Sequence, residues 1–281
     1  MPRFGLLGWV KLLWQAGWDS FSRETSLLSA AISYYALFSL FPLTLLTVAV
    51  ASLWLDPLVA ENEIVSQLEF AAPGLGVLLG ENLQRIVSSR GPITGTAVLM
   101  LLWSASNIFG VLTNAMDKLW GAEKSRPIWR HRGLAMGLVL IISSLLLVAS
   151  TASDVVVTVL NVVTLPGKEV IRFWITQLLY LVLDVVLFGL LYYYLPHIKL
   201  RWWDVVPGAV AGGVLWEGAK YFFLSFVTGY LNRSNLVYGS LAAITVFLTW
   251  TYFSGLIFVF GARVNIGYME MREGRRVKIE D

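Results

Sequence analysis

The segment over residues 205–230 constrains the fold more than any other, because it is an apolar run long enough to cross a bilayer and carries Glu217 and Lys220 near its middle. Its ten Val, Leu and Phe side chains favour insertion by about 0.3–0.6 kcal/mol each, whereas each central charge costs about 2.5–3.5 kcal/mol. The two contributions nearly cancel. We therefore expect neighbouring helices to supply counter-charges to this segment or to enclose water around its centre.

Composition extends this interpretation to the whole chain. Hydrophobic residues make up 57% of the sequence and charged residues 14%, and the mean hydropathy is +0.70, which is outside the range of soluble globular proteins. At about 20 residues per spanning helix, 281 residues accommodate about six spans. The sequence predicts an all-α, polytopic membrane protein with transmembrane helices over 27–55, 93–118, 133–160, 171–195, 205–230 and 239–266.

Three further segments complete a single membrane domain over 1–281. Residues 1–26 form an amphipathic pattern that predicts a helix resting in the membrane interface, with an apolar side made of Leu6, Trp9, Val10, Leu13 and Ala16. The acidic stretch 56–92 predicts a short helical segment on the outer face, and 267–281 a cytoplasmic tail.

The distribution of Lys and Arg predicts the orientation. If both termini are cytoplasmic, fifteen of the 21 basic residues fall on the inner side and five on the outer side, with Lys220 inside the membrane. Cytoplasmic loops of membrane proteins carry an excess of Lys and Arg. We therefore expect six spans with both termini in the cytoplasm.

The candidate site is a polar centre at mid-membrane depth. Glu217 lies halfway along its span from the inner side, and Asp184 lies halfway along its own span from the outer side, so the two carboxylates share a depth. Lys220 follows Glu217 by one turn on the same helical face, which favours an ion pair with one or both acids. Gly208 and Gly212 form a small-xxx-small pair that lets another helix or a ligand approach closely.

Other polar and flexible residues are assigned to the same centre. Asn107 lies in the middle of the second span, and Tyr34 and Tyr35 lie in the first, where their side chains would supply supporting hydrogen bonds to a bound solute or ion. Pro42 predicts a kink in the first span and Gly213 a gating position in the fifth.

Two interpretations of the polar centre remain open. In the first, the charges line a cavity through which a small solute or a lipid is transported; in the second, they form a closed ion-pair knot that fixes helix register. An enzyme is disfavoured, because no catalytic constellation, metal-ligand spacing or cofactor motif occurs. The two histidines, His131 and His197, lie in basic loops and are interpreted as solvated.

Membrane lipids are the expected partners, and nucleic acid is not. The basic loops contain few aromatic residues, and Trp129, Trp202 and Trp203 fit better in an interfacial aromatic belt beside anionic headgroups. The chain has no cysteine, and the sequence does not indicate an oligomeric state.

The stretch 31–42, AISYYALFSLFP, resembles the first-span signature of the YihY/BrkB family of bacterial inner-membrane proteins. Blocks around Trp103, Trp120, Pro196, Trp216 with Glu217 and Lys220, and Gly261 with Asn265 are similar to that family in order and spacing. Arg263 departs from it, because the family commonly carries an acidic residue there. The resemblance implies a six-span inner-membrane protein with proposed links to lipid or solute export. Members have also been labelled ribonuclease BN or virulence factors, and we interpret the ribonuclease label as a misassignment.

The orientation is tested by cysteine labelling, since the native chain offers no thiol. We expect a Glu81→Cys variant to react with an impermeant maleimide added to intact cells, because 56–92 is assigned to the outer face. Labelling only after the cytoplasmic side is exposed would contradict the topology.

Overall fold

The structure, a computed structural model, describes residues 6–51, 93–121, 168–198, 200–238 and 240–272. Within these ranges the chain is helical and contains no strand, which confirms the all-α prediction. The helices are α1 (Leu6–Ser20), α2 (Arg23–Ala51), α3 (Ile93–Leu119), α4 (Lys168–Tyr194), α5 (Trp202–Tyr238) and α6 (Ser240–Arg272). The predicted segment 56–92 and the predicted span 133–160 lie outside the described residues.

Two helices extend well beyond the spans predicted for them. Helices α3 and α4 agree with 93–118 and 171–195 to within three residues, but α5 has 37 residues and α6 has 33. At 1.5 Å per residue these two helices are about 55 and 50 Å long, whereas the hydrocarbon core of a bilayer is about 30 Å thick. The first residues of the predicted tail 267–281 are therefore helical, up to Arg272.

The segment 1–26 is not one helix. Helix α1 ends at Ser20, and a tight turn follows in which the N–H groups of Phe21 and Ser22 donate to the carbonyls of Trp18 and Asp19 at 3.1 Å. Residues 23–26 belong instead to α2. The prediction of a single interfacial helix over 1–26 is wrong at this boundary, because these local bonds end α1.

The chain divides into two compact units. Unit 1 contains residues 1–22, 113–217 and 257–281, and unit 2 contains residues 23–112 and 218–256. Helices α3, α5 and α6 each contribute one segment to each unit.

In unit 1, α4 and the first half of α5 pack antiparallel at close range. A Cβ added at Gly213 would lie 2.8 Å from the Val185 side chain, and one added at Gly189 would lie 3.7 Å from the Ala209 methyl. Near the turn between the helices, the rings of Tyr193 and Trp202 stack with centroids 4.3 Å apart. Small residues thus allow the two helices to approach along several turns.

The first half of α5 also contacts the second half of α6 backbone to backbone. A Cβ at Gly208 would overlap the carbonyl oxygen of Gly261, and a Cβ at Gly261 would lie 2.7 Å from the carbonyl oxygen of Gly208. The Gly208 N–H donates to Oδ1 of the fully buried Asn265 at 2.6 Å. From α4, the Tyr192 hydroxyl donates to the Phe258 carbonyl at 2.8 Å. The close approach predicted for Gly208 is confirmed.

Helix α1 packs antiparallel along the end of α6. Leu12 and Ala16 are buried with Val264, and the ring of Trp9 stacks on that of Tyr268. The opposite side of α1 is apolar as well but exposed, and consists of Leu7, Val10, Trp14 and Trp18. Val10 was expected on the same apolar side as Ala16, but Ala16 is buried and Val10 is exposed. An interfacial position for α1 stays a prediction.

Unit 2 has its own close contact between α2 and the first half of α6. A Cβ at Gly255 would lie 2.9 Å from Cα of Ser29, so the two helices approach at small residues here as well. Thr25, Ser29 and Ser33 recur every fourth residue of α2 and are all buried. Helices α5 and α6 pack through Phe223 and Trp250, whose centroids are 4.9 Å apart.

The outer surfaces of unit 1 carry exposed apolar stripes. Leu178, Val182 and Val186 recur every fourth residue of α4, and Val206, Val210 and Val214 do the same on α5. Among the described residues, Val170–Tyr194 and Ile244–Arg272 are long and apolar enough to cross a membrane. Continuous apolar stripes are unusual on soluble proteins and suit contact with acyl chains.

The glycine contact between α5 and α6 predicts a position-specific effect of one methyl group. We expect Gly208→Ala to lower the unfolding free energy by about 1–3 kcal/mol, because its Cβ meets backbone that has no room to shift. Thermal unfolding of the purified protein in detergent measures this.

Gly218→Ala on the same helix is the matched control. Gly218 is exposed with no atom within 4 Å of an added Cβ, so alanine should be neutral or stabilising by about 0.5–1 kcal/mol. Equal destabilisation by both variants would contradict the packing interpretation.

Candidate functional site

The centre of the candidate site is the carboxylate of Glu217, which α5 places against α4. Glu217 is only 9% exposed, and its Oε2 accepts a hydrogen bond from Nε2 of Gln177 at 3.0 Å. The ring of Trp216, the residue directly before Glu217, meets that of Phe188 edge to face with centroids 5.8 Å apart. An acidic side chain therefore lies buried between two largely apolar helices, where an amide donor compensates part of its desolvation.

The antiparallel register of α4 and α5 positions Asp184 near this carboxylate along the helix axis. Gly213 contacts Val185, so Asp184 lies opposite the residues about one turn before Glu217. Asp184 is half-buried. Within unit 1 the two acids thus lie within about one turn of each other along the helix axis, and their shared depth in the membrane stays a prediction.

The remaining predicted site residues belong to unit 2. Lys220 follows on α5 and is half-buried, as are Asn107 on α3 and Tyr35 on α2. Tyr34 is 54% exposed, and its ring packs on that of Phe38 with centroids 4.8 Å apart. The assignment of these four residues to a common site with Glu217 stays a prediction.

Pro42 and Gly213, which were predicted to be a kink and a gating position, both lie inside continuous helices. Helix α2 continues through Pro42 without interruption. Gly213 is buried in the continuous helix α5, where it accommodates Val185. The observed role of Gly213 is close packing, and gating by either residue stays a prediction.

Asp117 and His197 form a second buried polar pair, which the sequence analysis did not predict. The carboxylate of Asp117, near the end of α3, accepts a hydrogen bond from the backbone N–H of His197 at 2.9 Å and contacts the imidazole Nδ1 of the same residue. Both side chains are nearly buried. The interpretation of His197 as a solvated loop residue is wrong, because its ring lies against Asp117.

Asp204 forms a third polar group, at the start of α5. Asp204 is buried in the first turn of α5, where its Oδ2 accepts from the Arg201 N–H at 3.3 Å. The Asp204 N–H donates back to the Arg201 carbonyl at 2.9 Å, so that two bonds join Arg201 and Asp204 at the start of α5. The other carboxylate oxygen of Asp204 pairs with the guanidinium of Arg272 at the end of α6.

Arg263, the position that departs from the expected acidic pattern, joins α6 to α1. Its guanidinium lies 3.6 Å from the Asp19 carboxylate and 3.5 Å from the Ser22 hydroxyl. The Arg263 side chain therefore contributes to the position of α1.

In the part of the chain that the structure describes, no group of three His, Asp or Glu side chains could hold a metal ion.

The distribution of apolar and polar side chains defines a class of protein. Apolar stripes face outward on long helices, and polar or charged pairs lie inside, which is the reverse of a soluble bundle and typical of a helical membrane protein. The chain belongs to the Virulence factor BrkB family, whose model matches residues 18–280. The predicted YihY/BrkB membership is confirmed.

Curated relatives agree with this membership. A UPF0761 membrane protein of Kangiella koreensis is 28% identical over 248 residues, covering 87% of this chain and 60% of the relative. The UPF0761 membrane protein YihY of Escherichia coli is 26% identical over 211 residues, covering 72% and 68%. A relative from Bacillus subtilis, 27% identical over 250 residues with coverage of 84% and 87%, is named putative ribonuclease-like protein YfkH.

Several relatives are much longer than the region in which they match this chain. It covers 60% of the Kangiella koreensis protein and 44% of a UPF0761 membrane protein of Halorhodospira halophila, so the chain spans about half the length of these relatives. No solved structure matches the chain.

The contact between Gln177 and Glu217 predicts energetic coupling of the two side chains. We expect Gln177→Leu and Glu217→Leu each to destabilise the protein, and the double variant to be more stable than the sum predicts by about 1–2 kcal/mol. Reversible unfolding in mixed micelles gives the four free energies of this cycle.

Leu178→Ala serves as the control, because Leu178 neighbours Gln177 but is 61% exposed on the outer stripe. Its effect should add to that of Glu217→Leu. A coupling energy near zero for Gln177 and Glu217 would show that the hydrogen bond contributes nothing to stability.

Proposed function

We propose that this protein is a six-span transporter, an exporter or flippase of a small solute or lipid, whose substrate pathway passes Glu217. The observation that carries the proposal is a buried carboxylate, held by the Gln177 amide, halfway along an apolar helix pair. Ionisable residues inside membrane segments are costly and are retained mainly where substrates, ions or protons bind.

The helix geometry supports a pathway at this depth. Glu217 is the sixteenth residue of the 37-residue helix α5, about 23 Å from its start at 1.5 Å per residue. If α5 enters the bilayer near Trp202, this distance supports a position of Glu217 deep inside it. Asp184 lies within about one turn of the same level on α4. Two acids at one depth favour a site for a cationic group or a proton.

The proposed topology places both termini in the cytoplasm and the protein in the bacterial inner membrane. The excess of Lys and Arg in the segments assigned to the inner side supports this orientation. Helices α2 to α6 have at least 27 residues each, which is sufficient to span a bilayer even when tilted. The proposal takes a further span from the sequence prediction for 133–160, which lies outside the described residues.

The competing interpretation is a closed structural centre, and the hydrogen bond from Gln177 to Glu217 supports that as well, because it ties α4 to α5. The two functions differ in whether water reaches Glu217. A transport pathway must be hydrated from one side at some stage, whereas a knot that fixes register is dry.

Cysteine accessibility separates these functions in a chain that has no cysteine of its own. We expect Glu217→Cys to react with a charged, membrane-impermeant methanethiosulfonate at least about tenfold faster than Val214→Cys, since only a hydrated thiol ionises and reacts. Val214 is three residues away on the exposed apolar stripe of α5, where lipid excludes the reagent. Mass spectrometry of the purified protein measures the modification.

Equal, slow reaction of both variants would favour the closed centre.

A second readout uses Glu217→Gln and Lys220→Met, singly and together, in cells. If the double variant restores folding and cellular activity that each single change abolishes, the charges are structural and the transport proposal is wrong.

A further inference from the structure

An aromatic and basic surface lies at the turn between α4 and α5 in unit 1. We call this the corner surface and define it by Tyr193, Tyr194, Arg201, Trp202 and Trp203. Tyr193 and Trp202 stack with centroids 4.3 Å apart and an interplanar angle of 12°, and Tyr194 meets Tyr193 edge to face. Trp203 is 77% exposed, and Tyr194, Trp202 and Arg201 are exposed as well.

The corner surface is where both outer apolar stripes of unit 1 end. The stripe of α5 runs back from Val214 through Val210 and Val206, and Trp203 lies at its end. The stripe of α4 runs forward through Val186, and Tyr194 lies two turns beyond it. Trp and Tyr are enriched where a membrane protein passes from acyl chains to headgroups. The aromatic residues of the corner surface therefore fit a position at headgroup level.

The acid nearest in sequence does not neutralise this surface. The Asp204 carboxylate is buried, accepts from the backbone N–H of Arg201 and pairs with Arg272. Arg201 itself is exposed and directly precedes Trp202 and Trp203 in the chain.

We propose that the corner surface binds the phosphate headgroup of an anionic phospholipid, whose acyl chain lies along Val206, Val210 and Val214. A guanidinium donates two parallel hydrogen bonds to a phosphate, and an indole N–H at the interface can donate another. The exposed valines supply the apolar contact for the chain below the headgroup. This lipid site is independent of the transport proposed for Glu217.

The side chain of Arg201 can be changed without disturbing the start of α5. The cap uses the backbone N–H and carbonyl of Arg201, and these remain in any substitution except proline. Arg201→Gln therefore removes the charge and keeps the fold. Trp203→Leu is a second variant that keeps an apolar side chain and removes the indole donor.

The test measures thermal unfolding of the full chain in mixed micelles containing phosphatidylglycerol or phosphatidylcholine. We expect phosphatidylglycerol to raise the Tm of the wild-type protein by about 3–5 °C relative to phosphatidylcholine. Arg201→Gln should weaken the apparent affinity for phosphatidylglycerol about fivefold, and Trp203→Leu should also reduce the shift. Arg23→Gln is the matched control, because Arg23 is exposed at the start of α2, and it should keep the full shift.

Three results would overturn the proposal. An unchanged shift in Arg201→Gln would place the headgroup elsewhere. Equal losses in Arg201→Gln and Arg23→Gln would reduce the effect to net charge. An equal shift with inorganic phosphate in phosphatidylcholine micelles would show a site for a soluble anion in place of a lipid.

Discussion

Unit 1 depends on the contact of Gly208 with Gly261, where the backbones of α5 and α6 touch. Lipid tails are as apolar as the helices, so burial of apolar side chains gives little net stabilisation inside a bilayer. Dispersion contacts and hydrogen bonds must then hold the helices, and both require short distances. The glycines permit such distances, and the bonds from Gly208 to Asn265 and from Tyr192 to the Phe258 carbonyl follow from them.

The same contact lies next to a proline in the second turn of α5. Pro207 lacks an N–H and cannot bond to the preceding turn, and its ring crowds the carbonyl four residues earlier. The next N–H, that of Gly208, donates to the side chain of Asn265 on α6. The neighbouring helix thus adds a hydrogen bond directly after the residue at which the proline removes one.

Sequence patterns predicted those parts of the structure that depend on the neighbours of a residue along one helix. Hydropathy gave α3 and α4 within three residues, and the small-xxx-small pattern located the approach at Gly208. Sequence patterns failed where the contact partner of a residue is distant in the chain. Nothing near His197 indicates that Asp117 lies beside it, because the two are 80 residues apart, and nothing in α1 indicates that Leu12 faces the end of α6. Gln177 and Asp184 lie two turns apart on one face of α4, but the contact of Gln177 with Glu217 depends on the antiparallel register of α4 and α5.

The separation of Asp117 from His197 also affects how the protein is made. At about 5–20 residues per second, the ribosome completes His197 about 4–16 s after Asp117. During that interval the end of α3 carries a carboxylate whose final partner has not yet been synthesised. The pair can form only once α4 has been synthesised and the turn after it has come back to α3. Asp117 and His197 are therefore a natural late marker of assembly, reporting that this part of the chain has reached its final arrangement.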